Sequence, residues 1–252
     1  MRLKGLTAIV TGGGFGFGEG ICRTFAAEGA NVVVGDINQD NGERVSSSLV
    51  SSGAHAIFQA VDVANSDNMK ALVGRALKEF GRLDIMVNNA GICHDNQPML
   101  DVPEAMFDRI FQVNVKSIYL SAVHCVPIFR QQRGGCFVNI ASIGGVRPRP
   151  GLTWYNGSKG AVIILTKSMA VELAPDRIRV NAINPVAGDT GMLKNVIGKN
   201  DSPETRARIL ATIPLGRFSR PTDVANAALF LADPASEFVT GACVEVDGGR
   251  CI

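Results

Sequence analysis

The sequence predicts an α/β protein: a doubly wound parallel sheet of about seven strands, with helices on both faces. Three observations carry this. Short β-branched runs alternate with stretches of helical periodicity along the whole chain. Most of these runs are apolar throughout rather than alternating, the pattern of strands covered on both faces. No linker, repeat or low-complexity tract interrupts the 252 residues, so 1–252 reads as a single domain.

The elements follow in order. A strand over 7–11 runs into glycines, and the helix after it, 18–27, carries Ile21 and Phe25 four apart. Strands follow at 31–36 and 54–61. A helix over 67–80 sets Met69, Leu72, Val73, Ala76, Leu77 and Phe80 on one stripe and stops at Gly81. The fourth strand is 83–88. Pro103 suits the first turn of a long helix running towards Gln132. A strand at 136–140 precedes a helix over 155–174, which Pro175 ends. Strands at 178–183 and 242–246 flank a last helix at 221–231. The stretch 189–215 is mixed and punctuated by Gly and Pro. It predicts a helical insertion over one end of the sheet, covering the substrate.

Composition excludes several roles. Hydrophobic residues make up 46% and charged ones 19%, too apolar for a disordered chain. Lys and Arg exceed Asp and Glu by 25 − 23 = +2, which gives no general pull on nucleic acid or anionic membrane. No run of 18 apolar residues occurs, against a membrane span. The apolar run 6–10 is too short for a signal-peptide core. Cys22, Cys93, Cys125, Cys136, Cys243 and Cys251 lack C-x-x-C spacing, and the histidines are scattered. Neither a metal site nor a disulfide framework is expected, and free thiols fit the cytoplasm.

The first strand enters Thr11-Gly12-Gly13-Gly14-Phe15-Gly16-Phe17-Gly18 and then a helix. Glycines allow backbone to approach a pyrophosphate, and a helix N-terminus attracts it. Asp36 ends the second strand, 18 residues after Gly18. Its carboxylate can accept from ribose hydroxyls and repels a 2′-phosphate. No Arg or Lys lies in the turn or at Ile37 and Asn38, so NAD is expected rather than NADP. A turn or helix-cap role is the plainer alternative for Asp36. Tyr155 and Lys159 are i and i+4 on a helix and share a face. An ammonium there is expected to lower the phenol from its usual value of about 10, fitting Tyr155 as a general base. A surface Tyr–Lys pair is the plainer alternative. Ser142 sits at the C-terminal end of the fifth strand, where such sheets bind ligands. It suits a substrate oxygen or a turn cap.

With these motifs in order, the sequence resembles the short-chain dehydrogenase/reductases, which carry the Rossmann fold, over essentially its whole length. Thr11-Gly12-x-x-x-Gly16-x-Gly18 resembles the family's cofactor turn, and Asp62-Val63 its adenine-contacting segment. Asn88-Asn89-Ala90-Gly91 matches the signature after the fourth strand. Asn114, Ser142, Tyr155 and Lys159 match the catalytic tetrad. Asn184-Pro185-Val186-x-x-x-Thr190 is similar to the segment touching the nicotinamide carboxamide, with Val186 standing where the family has glycine. Val246-Asp247-Gly248-Gly249 resembles the family's C-terminal segment. The resemblance implies Tyr155 as proton acceptor or donor, and Ser142 as the group positioning the substrate oxygen. Lys159 would depress the Tyr155 pKa and bind the nicotinamide ribose. Asn114 would distort its helix and hold a relay water. It also implies a homotetramer or dimer, with Ile110, Ile118, Ala122, Ile163 and Met169 as candidate interface residues.

The cofactor set is therefore Thr11, Gly12, Gly14, Phe15, Gly16, Phe17, Asp36, Ile37, Asp62, Val63, Asn89, Ala90, Gly91, Tyr155, Lys159, Pro185, Val186 and Thr190. Candidate substrate residues are His94, Ser142, Gly144, Arg147, Arg149, Leu152, Tyr155, Ala187 and Met192. His94 suits a polar substrate group or a solvated loop. Arg147 and Arg149 can clamp a carboxylate, sulfonate or phosphate, or face solvent or a partner subunit. The expected function is NAD-dependent interconversion of a secondary alcohol (sugar, polyol or hydroxy acid) and its ketone or lactone. Two alternatives stand beside it: a 3-oxoacyl-thioester reductase, with Arg130 and Arg133 docking an acidic carrier, and a non-catalytic NAD-binding sensor or scaffold.

Overall fold

In the computed structural model, which describes residues 1–198 and 201–252, the β-branched runs become seven strands. These are β1 (Thr7–Thr11), β2 (Asn31–Asp36), β3 (Ala56–Ala60), β4 (Ile85–Asn88), β5 (Gly135–Ile140), β6 (Ile178–Pro185) and β7 (Cys243–Val246). They pair in parallel in the order β3-β2-β1-β4-β5-β6-β7. The order reverses between β1 and β4, so a crevice opens at their C-terminal ends, where open α/β sheets bind ligands.

The helices are α1 (Gly16–Ala27), α2 (Gln39–Ser51), α3 (Ser66–Phe80), α4 (Glu104–Phe111), α5 (Ser117–Gln132), α6 (Thr153–Leu173), α7 (Leu193–Ile197), α8 (Pro203–Leu210) and α9 (Pro221–Ala232). Because strand side chains alternate between faces, each strand feeds two cores. Ala8, Val10, Val32 and Val34 pack with α1, α2 and α9. Ile9, Val33 and Met86 pack with α3, α5 and α6. Gly81 ends α3 in the left-handed conformation at φ 73°.

Three expectations change. Helix α2 has no counterpart in the sequence reading. Only Val45 and Leu49 carry its apolar face among the large side chains. Its start is set by Asn38, whose side chain accepts from the Asn41 N–H at 2.9 Å. The single long helix expected from Pro103 to Gln132 is α4 and α5 joined by a π-helical segment, Gln112–Lys116. Of the candidate interface residues, Ile110, Ile118 and Ile163 are buried within the chain's own core, and Ala122 and Met169 are partly buried. The apolar side chains that α5 and α6 expose are Tyr119, Val123, Ile164 and Val171. The insertion expected over 189–215 contains α7 and α8; residues 199 and 200 within it lie outside the described residues. Among the described residues, no helix is long and apolar enough to cross a membrane.

The core of the α3/α5/α6 face turns on Phe129. Its ring is fully buried and packs on Phe137 with centroids 5.2 Å apart. It also lies over Gly135, where a Cβ would come within 2.2 Å of it. Truncating Phe129 to Ala therefore removes a large buried ring that the tight backbone beneath cannot replace. A loss of about 3–5 kcal/mol is expected, read in urea unfolding as a lower midpoint at unchanged slope.

Candidate active site

The glycine turn is stitched to the loop after β4. The Thr11 hydroxyl donates to the Val87 carbonyl at 3.2 Å and accepts from the N–H groups of Asn89 and Ala90, both at 3.1 Å. The Asn89 amide donates to the carbonyls of Thr11 (2.8 Å) and Gly12 (3.1 Å). Gly12 takes φ +63°, open to glycine at little cost. A Cβ on Gly18 would lie 2.0 Å from the Gly12 carbonyl oxygen. Asn38 and Asn65 cap α2 and α3, but no side chain caps α1. Its first N–H groups thus point from a glycine turn at the sheet's crevice, the arrangement that suits a dinucleotide pyrophosphate.

Asp36 does more than cap a turn. One oxygen accepts from Gly14 N–H and the other from Asn38 N–H, both at 2.9 Å. The same carboxylate lines a crevice with Ile37, Asp62, Val63 and Ala90, a fit for the adenosine half of the cofactor. Arg109 lines this crevice too, and pairs with Asp62 at 3.3 Å. Sequence reasoning missed Arg109. It reaches the site from α4, far along the chain from any glycine motif.

The tetrad residues converge on the C-terminal ends of β4 and β5. Asn114 sits in the π-helical segment and is buried. Its Oδ1 accepts from Ile92 N–H at 2.9 Å, and its Nδ2 donates to the Ile92 carbonyl and Ser158 Oγ, each at 3.0 Å. Ser142 follows β5; its Oγ accepts from Gly144 N–H at 3.0 Å while the residue lines the main cavity. It is both a turn cap and a cavity-lining residue. Tyr155 and Lys159 stand one turn apart on α6, with Nζ 5.9 Å from the centre of the phenol ring. The Lys159 ammonium donates to the Ile140 carbonyl at 2.8 Å. Both side chains line the cavity with Phe15, Phe17, Pro185 and Thr190.

The electrostatics differ from the simple expectation. Burial pushes the Tyr155 phenol up, and the neighbouring Cys93 adds to this; the Ser142 hydroxyl opposes it. Burial lowers Lys159 to about 8, while Cys93 acts in the opposite direction. The helical spacing brings the two groups together, but desolvation dominates the phenol's titration.

Most candidate substrate residues line one cavity: Ser142, Gly144, Leu152, Tyr155, Ala187 and Met192, with the arginines Arg147 and Arg149. Val186 lines it as well, without a left-handed backbone, packed with Ile143 and Ile213. His94 is the exception. It is buried away from this cavity, its Nδ1 2.8 Å from the Asp95 carbonyl and its Nε2 unpartnered. The loop after β4 turns at Cys93, so Cys93, rather than His94, packs against Tyr155 and Leu152. Of the two arginines, Arg147 is occupied by the chain end, donating to the carbonyl of Arg250 at 2.6 Å and that of Ile252 at 3.2 Å.

A doubly wound sheet with a glycine turn beside a Ser–Tyr–Lys–Asn set, of which Tyr155, Lys159 and Asn114 are buried and Ser142 half-buried, defines an oxidoreductase of the short-chain dehydrogenase/reductase class. The chain belongs to that family: the family model described as enoyl-(acyl carrier protein) reductase matches residues 13–250. It is 48% identical over 252 residues to 4-formylbenzenesulfonate dehydrogenase of Comamonas testosteroni, covering 100% of both chains. It is 38% identical over 248 residues to cyclopentanol dehydrogenase of Comamonas sp., covering 98% of each. A crystal structure of 3-ketoacyl-(acyl-carrier-protein) reductase from Brucella melitensis, complexed with NADH, matches with TM-score 0.93 at 42% identity. It covers 99% of this chain and 100% of that one.

The close approach at Gly18 generates a test of the turn. Gly18→Ala puts a methyl group against the Gly12 carbonyl and forces the turn open. NADH binding, titrated by fluorescence, is expected to weaken at least ~10-fold, or about 1.4 kcal/mol. Unchanged binding refutes the turn's role.

Proposed function

We propose that the protein is an NAD-dependent dehydrogenase that interconverts a hydroxyl group and the corresponding carbonyl, with Tyr155 as general acid/base. One observation carries the reading: Ser142, Tyr155 and Lys159 line a single cavity that is continuous with the glycine turn. The intact set argues against a sensor or scaffold.

The roles follow from the geometry. As phenolate, Tyr155 takes the alcohol proton; as the neutral phenol, it returns that proton to a carbonyl. Ser142 Oγ, held by Gly144 N–H, still has its own hydrogen to donate to the substrate oxygen. Lys159 places a charge beside the phenol and uses one of its three donors on Ile140. The other donors suit the nicotinamide ribose. Asn114 ties down Ile92, fixing the loop that carries Cys93 against Tyr155. Bound NAD supplies the hydride acceptor and, when oxidised, a positive charge. The uncapped start of α1, Thr190 and Pro185 would hold it, and Asp36 would accept from its ribose hydroxyls.

The substrate reading is a secondary alcohol, a sugar, polyol or hydroxy acid among them, bearing an anionic group. A second reading is favoured by the 48% identity to 4-formylbenzenesulfonate dehydrogenase. An aldehyde reacts as its hydrate, whose carbon carries both a hydrogen and a hydroxyl. With NAD bound as the hydride acceptor, such a hydrate would be oxidised to the carboxylic acid as the Tyr155 phenolate takes its hydroxyl proton, so the same side chains serve. A 3-oxoacyl-thioester reductase is the alternative. The Brucella melitensis reductase is complexed with NADH, so NAD preference alone does not separate the readings. Against carrier docking, Arg130 is paired with Asp176 at 2.7 Å. We also read the working form as a homo-oligomer, on the exposed apolar residues of α5 and α6.

Two measurements test this. Tyr155→Phe is expected to lower kcat at least ~10²-fold in steady-state assays over a panel of alcohols, aldehydes and acyl thioesters; near-normal turnover rejects the acid/base role. Asp36→Ala is expected to reduce the preference for NAD over NADP by at least ~10-fold in kcat/KM, since it removes a charge-assisted acceptor and a repulsive charge together. A wild type that prefers NADP defeats the cofactor assignment.

A further inference from the structure

Two arginines, Arg147 and Arg149, line the cavity, and a third, Arg250, is tied to Arg147 through its backbone carbonyl. Among the described residues, none of them pairs with an Asp or Glu carboxylate, while Arg147 reaches the oxygen of Ile252 at the chain end. Of the two acids close by in sequence, Glu245 accepts from the Asn184 amide at 3.3 Å, and Asp247 is engaged with the backbone. Its oxygens accept from the backbone N–H groups of Gly249 (2.9 Å) and Cys251 (2.7 Å).

The three are not equivalent. Arg147 is exposed and fastened to the chain end, as described above. Arg149 is half-buried and lines the cavity. Its backbone carbonyl is pinned by the Asn156 amide at 2.9 Å, at the start of the helix that carries Tyr155. Its side chain donates only from Nη2, to Thr212 Oγ1 at 3.0 Å. The remaining N–H groups of its guanidinium have no acceptor among the described residues. Arg250 is only 8% exposed, and its Nε is buried without a partner. Burial and the Arg250 charge both work against the Arg149 cation, lowering its pKa.

Two cationic side chains, Arg149 half-buried at the cavity and Arg250 buried, thus have no Asp or Glu paired with them among the described residues. An arginine stays protonated under such stress, so an anion entering the cavity meets a cation with free donors and relieves the mismatch. The cavity wall beyond them is apolar, formed by Leu152, Val186, Met192 and Val196. We propose that Arg149, backed by Arg250, is the anion-binding residue of the substrate pocket. The substrate it selects has an apolar, ring-sized body that carries a sulfonate or carboxylate. This deepens the dehydrogenase reading and rests on the Ser142–Tyr155–Lys159 cavity being the reaction site.

The competing role for Arg149 is mechanical: through Thr212 it straps the insertion to the loop before α6. Binding separates the two. Benzenesulfonate, benzoate and neutral benzamide are titrated by calorimetry into the NADH-loaded protein, as wild type, Arg149→Met and Arg149→Lys. The anions are expected to bind the wild type more tightly than benzamide does. In Arg149→Met they are expected to bind about 10- to 100-fold more weakly, the size of a lost charge-assisted hydrogen bond. Arg149→Lys restores part of the loss, and whichever anion binds more tightly identifies the preferred headgroup. Anions that bind the wild type no better than benzamide, or that bind Arg149→Met equally well, overturn the proposal. A strap would instead lower the affinity for all three compounds by one common factor. Turnover gives the second arm. The kcat/KM ratio of a sulfonated to an unsubstituted benzaldehyde is expected to fall at least ~10-fold in Arg149→Met, and an unchanged ratio overturns the assignment. If the anions bind through Arg149 while no substrate is turned over, the anion site stands and the dehydrogenase reading fails.

Discussion

A buried ammonium organises the site. Lys159 is 4% exposed, and its charge has been taken out of water with one hydrogen-bond partner among the described residues, the backbone carbonyl of Ile140. Desolvation brings its pKa down to about 8, which leaves it mostly charged at neutral pH. Burying a cation with so few partners is unfavourable for folding. In the proposed mechanism the unfavourable charge is the useful part, because it stands one helical turn from the phenol in a region that screens it weakly. The Ile140 carbonyl belongs to β5, so the position of the ammonium is referred to the sheet itself and not to a loop.

The same economy governs the chain around Asn114. One side-chain amide answers both backbone groups of Ile92 and also reaches Ser158. A regular helix from α4 into α5 would have its backbone bonds closed; here the helix widens by a π-helical segment where that asparagine sits. The widened turn therefore links the loop after β4 to α6. Cys93 on one side and Tyr155 on the other keep their contact because both are tied to this asparagine's neighbours.

Elements made by strong local patterns were legible in the sequence. The β-branched runs at Thr7–Thr11 and Asn31–Asp36 became strands with those bounds, since short, β-branched apolar runs bounded by glycine and turn residues suit a sheet buried on both faces. Helix α2 was not legible, because two apolar residues and a side-chain cap leave little periodicity; its stability comes from packing on β3, where Gly42 lies under Phe58. Site residues divide in the same way. Tyr155, Lys159 and Ser142 could be placed from strand ends and helix spacing. His94 could not, because a one-residue difference in where a loop turns decides whether it or Cys93 meets Tyr155. Arg147 and Arg149 are alike in sequence, both followed by proline. Only the tertiary contacts separate the arginine held by the chain end from the one that faces the cavity.

The direction of the Tyr155 shift completes the electrostatic picture. Helical spacing alone suggests a phenol made acidic by its lysine. The protein's own groups leave it harder to ionise than in water, because burial outweighs the help from Ser142. A protonated phenol is the form that donates to a carbonyl oxygen in the proposed mechanism. Oxidising an alcohol requires the phenolate, and within the site an added positive charge is what favours it. The oxidised and reduced cofactors differ by that charge at the nicotinamide ring. The proposed acid/base group would therefore change character with the redox state of its partner: reluctant to ionise beside the neutral ring, more willing beside the cationic one. A phenol already acidified by the protein would lack this dependence, and that gives the strong burial of Tyr155 a chemical use beyond packing.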